Sequence, residues 1–120
     1  MSIKPIFSSD RFFEVWHYTV SHRQLLIRSN KDNSSPTRLE VLFKDVAFMG
    51  VPTIMKGMVI SECHAVSELP ADLDTSRISK PWYRIEADGI LGYVAAGAMV
   101  SNEDDLGYEE PSPLCPRPFL

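Results

Sequence analysis

Few residues in this chain have the means to do chemistry: His17, His22 and His64, the cysteines Cys63 and Cys115, and Glu14 among aromatic neighbours. A structural zinc site takes about four ligands at paired Cys or His spacings, and these residues have no such spacing. Cys63 and His64 are adjacent, so on an extended chain they point to opposite faces and are poorly placed for joint ligation. No metal and no cofactor is expected. A cysteine nucleophile would need a histidine beside it as base. Glu14 would become a general acid if its strand buried it, because burial raises a carboxyl pKa. Against that stands the plainer expectation that Glu14 faces solvent or pairs with Arg28 or Arg38 across a sheet. An enzyme built from these parts would be a small hydrolase drawing on Glu14, His17 and Cys63, with His22 and His64 as further candidates. The glycines match neither the G-x-x-x-x-G-K-[ST] nor the G-x-G-x-x-G phosphate loop. No catalytic residue is assigned.

Positioning such groups falls to strands. Phe12 to Val20 is dense in aromatic and β-branched residues. Its alternation puts Phe13, Val15, His17 and Thr19 on one face, and Phe12, Glu14, Trp16, Tyr18 and Val20 on the other. Gln24 to Arg28 reads as an antiparallel neighbour. Ser29 to Thr37 is a loop of turn formers. Arg38 to Lys44 alternates, with Leu39, Val41 and Phe43 predicted inward and Arg38, Glu40 and Lys44 outward; Leu42 breaks the pattern. Phe48 to Pro52 reads as an apolar turn, and Ile54 to Ser61 as a strand with a bulge at Gly57. Residues 62–81 are expected to be irregular.

The sharpest local signal is Asp88-Gly89 between two apolar runs, which predicts a two-residue type I′ hairpin. That register pairs Ala87 with Ile90, Ile85 with Gly92 and Tyr83 with Val94. Gly92 would then leave room for another segment to approach. Val94 to Val100 is read as strand rather than helix. The fold class is therefore mostly β: a single small barrel, roll or two-layer sandwich of about six antiparallel strands. Residues 1–101 form the β domain. Residues 102–120 form an acidic, Pro-rich C-terminal arm, expected to dock on the domain or on a neighbouring copy.

Composition bounds the rest. The chain has 120 residues, is 44% hydrophobic and carries a net charge of −4, ordinary values for one globular domain. No run nears the roughly 18 apolar residues of a spanning helix, so no membrane role is expected. The first residues lack a signal-peptide pattern, which places the expectation in the cytoplasm with both cysteines reduced. Residues 1–44 carry seven Lys/Arg against four Asp/Glu; residues 45–120 carry five against twelve, five of them between Glu103 and Glu110. An acidic balance argues against nucleic acid.

Function is expected to be that of a non-catalytic interaction module whose partner is another protein or itself, as a homodimer. The residues expected to carry it are Glu103, Asp104, Asp105, Pro113, Pro116 and Phe119. The alternative is a small-ligand-binding β-barrel lined by Trp16, Tyr18, Phe43 and Gly92.

Overall fold

The computed structural model describes residues 5–114. Six strands, β1 (Pro5–Thr19), β2 (Gln24–Ser29), β3 (Arg38–Gly50), β4 (Ile54–Cys63), β5 (Trp82–Ala87) and β6 (Ile90–Asp104), pair antiparallel throughout. They close into one barrel in the order β1-β2-β3-β6-β5-β4. Closure leaves no open sheet edge.

The interior is filled by the inward residues of every strand, among them Phe13, Leu25, Ile27, Val41, Phe43, Met55, Ile60, Ile85, Val94 and Ala96. Leu39, Val41 and Phe43 point inward as their alternation requires. The Asp88-Gly89 hairpin adopts φ of 51° and 78° at its two turn residues, and its register pairs Ala87 with Ile90, Ile85 with Gly92 and Tyr83 with Val94. Residues 94–100 are strand.

Three local expectations are corrected. β1 begins at Pro5, well before the aromatic run at Phe12. β3 runs on through Phe48 and Met49 to Gly50, where an apolar turn was expected, because both residues pair with β6. The third concerns β1. Its pairing with β2 shifts register between Val15 and His17, so two residues oppose one there and the alternation changes phase. His17 thus lies opposite Leu26 and not on the face of Phe13 and Val15.

β3 and β4 are not neighbours, so the chain between them must cross one end of the barrel. It passes directly over Gly92: a Cβ built there would lie 2.8 Å from the Gly50 carbonyl oxygen. The expected close approach at Gly92 is this crossing.

Two segments then cover parts of the barrel's outer surface. Residues 64–81 bring Leu69, Leu73 and Ile78 against Phe48, Trp82, Tyr93 and Ala95. After β6, residues 105–114 fold back over β1, β2 and β3 and bring Leu114 against Leu26, Leu42, Trp16 and Val100. β2 and the first half of β3, as far as Phe43, are therefore buried on both faces. Arg38 and Glu40, expected outward, do point away from the barrel core, yet both are fully buried beneath the arm. β6 itself extends to Asp104, three residues past the expected end of the β domain at Ser101.

Candidate functional site: a charged clamp under the C-terminal arm

The most concentrated chemistry among the described residues lies on the outer face of β2, β3 and β6. Alternation places Arg28 and Leu26 on the outward side of β2, and Arg38, Glu40 and Leu42 on that of β3. Register then sets Arg28 opposite Glu40 and Arg38 opposite Asp104. Arg28 Nε donates to Glu40 Oε2 at 2.8 Å. Arg38 grips Asp104 with two bonds, Nε to Oδ1 at 3.1 Å and Nη2 to Oδ2 at 3.2 Å, the fork geometry that suits guanidinium to carboxylate. Arg38 also lies 3.8 Å from Glu40. Two charges of each sign thus balance in a space from which the arm excludes water.

The remaining guanidinium donors bind the arm through its main chain. Arg38 Nη1 donates to the Gly107 and Glu110 carbonyls at 3.0 and 2.7 Å, and Nη2 to that of Pro111 at 3.3 Å. Arg28 reaches the carbonyls of Tyr108 at 3.3 Å and Glu110 at 3.4 Å. Glu40 Oε1 accepts the buried Ser112 hydroxyl at 2.7 Å. Trp16 closes the side: the Arg28 guanidinium sits 4.6 Å from the centre of its ring, and Tyr108 meets Trp16 edge-on at 5.0 Å. Cation–π attraction of this kind strengthens when desolvated. His17 borders the same spot, and burial, then the charge of Arg28, holds it below its ordinary pKa, with Glu40 opposing. The crevice left here is ≈ 50 Å³, far below the few hundred that ligand pockets usually offer.

The acids on the arm divide by this geometry. Asp104 is spent on Arg38. Glu103 is exposed and accepts from the Thr37 hydroxyl. Asp105 lends only its carbonyl, to Lys31 at 2.6 Å, and Asp105, Glu109, Glu110 and Pro113 are exposed. Pro116, Phe119 and Cys115 lie outside the described residues.

The other expected residues are not brought together. Trp16 is on the outer surface beneath Tyr108, whereas Phe43 is inside the barrel against Tyr83 at 5.3 Å. Tyr18 is half exposed in register with Leu25, and Gly92 is occupied by the crossing chain. The candidate chemical groups also scatter. His22 borders an open groove with Arg23, Lys44 and Asp45, and Cys63 and His64 border another with Leu69 and Trp82. Burial, reinforced by Glu68, raises the Cys63 pKa, opposite to what a nucleophilic thiol needs. Glu14 lies in register with Arg28 on one side and Ile54 on the other, but Arg28 gives its Nε to Glu40.

Sequence reasoning did not find the clamp, although a signal existed. Leu26 and Leu42 are apolar residues on faces that otherwise read as polar, and neighbouring strands share the anomaly. Such a pair marks an outer face that something covers. Compared with models of known families, with curated proteins and with solved structures, the chain matches none.

Proposed function

We propose that the protein is a non-catalytic interaction module that engages a basic protein partner through the outward side of its C-terminal arm. The observation that carries this is how the arm is held. Arg28 and Arg38 bind its carbonyls from below, so the carboxylates of Asp105 and Glu109 are not needed as fasteners. Asp105 and Glu109 are free to project outward beside the exposed ring of Tyr108. An acidic surface on an already ordered segment speeds encounter with a basic partner and loses less entropy on binding than a solvated tail would. The same charge repels phosphate backbones, consistent with a protein partner and not nucleic acid.

Capture from a lysate of the source organism tests this, with wild type beside Asp105→Asn/Glu109→Gln, whose side chains make no fastening contact. A basic protein should be retained by the wild type, released as salt rises, and lost from the variant. Equal retention by both forms would remove the acidic face from the interaction.

A further inference from the structure

The clamp has a second consequence. Its cargo is a length of main chain: five carbonyl contacts reach four consecutive or near-consecutive arm residues, Gly107, Tyr108, Glu110 and Pro111. The arm forms no strand ladder with the barrel along this stretch. Nothing in the clamp distinguishes an arm attached to its own β6 from the same arm arriving from elsewhere.

Two features bear on which arm is bound. First, the face under the arm is charged, with Arg28, Arg38 and Glu40 buried by that cover. Burying such a set is costly, and apolar residues of similar volume usually do as well or better for stability alone. When uncovered, however, these charges regain water, so the face tolerates departure of the arm better than an all-apolar face would. Second, the connection is abrupt. β6 ends at Asp104, and the first clamped carbonyl is that of Gly107. The reversal between them is held by the Leu106 amide donating to Asp104 Oδ1 at 3.0 Å and the Gly107 amide donating to Glu110 Oε1 at 3.1 Å. Short connectors that must turn sharply favour exchange, since straightening them carries the segment to a second copy.

We infer that the outer face of β2, β3 and β6 is a docking surface for the C-terminal arm of a second copy of this chain, so that two copies exchange residues 105–114 and each completes the other's clamp. The exchanged dimer is two-fold symmetric: each copy gives one arm and receives one, and the bonds of Arg28, Arg38 and Glu40 to the arm are remade between copies. Only the turn at Asp105 and Leu106 changes, giving up the Leu106–Asp104 bond. This goes beyond the basic-partner proposal and uses the opposite side of the arm.

The test mixes ¹⁵N-labelled and unlabelled full-length chains, unfolds and refolds them together at high concentration, and reads mass by native mass spectrometry. A dimer of mixed mass is expected, persisting on dilution because release requires both arms to open. A variant with Gly-Ser-Gly inserted after Asp105 gives the arm slack to close on its own barrel and should be monomeric. Arg28→Gln, which removes the same clamp donors from monomer and dimer alike, should speed subunit exchange between labelled and unlabelled dimers about tenfold or more, as loss of charge-assisted bonds implies. Chains that stay monomeric at every concentration overturn the inference. So does a dimer that the insertion leaves unchanged, since its interface would then lie elsewhere. Either result leaves the salt-dependent capture of a basic partner untouched.

Discussion

The barrel wears two covers, and they are made differently. Residues 64–81 lie on the outer surface as an apolar lid, with Leu69, Leu73 and Ile78 packed on Trp82, Phe48 and Tyr93. The arm at 105–114 is fastened mainly by ions and hydrogen bonds, with Leu114 and Tyr108 as its apolar contacts. An apolar lid gains from area removed from water, and its ion pair to the barrel, Lys80 with Asp45, is exposed, so among the described residues no buried charge is rehydrated when it lifts. The clamp gains less net energy, because desolvating its charges offsets much of their attraction. It is, however, specific about where the chain must lie. The lid is held by apolar area, and the arm by directional bonds from Arg28 and Arg38 and to Glu40.

Paired substitutions should separate the two covers by additivity. Arg38→Leu leaves Asp104 in a mostly buried place without its cation and should cost about 3–5 kcal/mol by chemical denaturation. Adding Asp104→Leu removes the stranded charge and should recover a large part of that loss. A double variant worse than the single would mean the ion pair is itself a net source of stability. Under the lid, Trp82→Ala should cost a similar amount, about 3–5 kcal/mol, but no partner substitution rescues a cavity.

A smaller change sharpens the contrast. Ser112→Ala removes the hydroxyl that Glu40 accepts at 2.7 Å and should cost about 1–3 kcal/mol. The loss should appear as faster proteolysis within the arm, with the lid unaffected. Equal sensitivity of both segments would show that they open together.

The smallest effect is a pH dependence confined to the arm's side. Burial and Arg28 hold His17 below its ordinary value of 6.5, so the unfolded chain takes up this proton first as pH falls. The contribution is whole above pH 6.5 and drains away below it, as the unfolded chain gains a proton that the folded chain does not. Replacing His17 with Gln should flatten that part of the melting-temperature profile. An unchanged acid limb would assign it to other groups.

Much of the barrel was legible because its determinants are local. Strict alternation in Leu39, Val41 and Phe43 and the Asp88-Gly89 turn specify face and register with no knowledge of the rest of the chain. The clamp was not legible because its determinants are distant. Arg28 meets the Tyr108 and Glu110 carbonyls across some 80 residues, and the one local trace, Leu26 and Leu42 on otherwise polar faces, tells that something covers them but not which segment. The phase change at Trp16 was hidden for a related reason. A bulge is defined by the partner strand, and Phe12 to Val20 alternates plausibly on either side of it. Residues 64–81 carry no period at all, since they are a cover laid over other strands and not a strand themselves, whereas Glu62 and Cys63, expected to be irregular, end β4.

The central claim is that the arm opens as a unit of its own above a barrel that stays folded. Native-state hydrogen exchange, followed by NMR at increasing low denaturant, tests it most directly through the amides of Leu106, Gly107 and Leu114, which are bonded by Asp104, Glu110 and Ser112. The account predicts that these amides share one opening free energy, well below that of the Leu25–Phe43 and Ile27–Val41 ladder, and that Tyr108→Ala, which takes away the arm's contact with Trp16, lowers it without touching the ladder. If the arm amides instead exchange only with global unfolding of the barrel, the arm is part of the core and the claim is wrong.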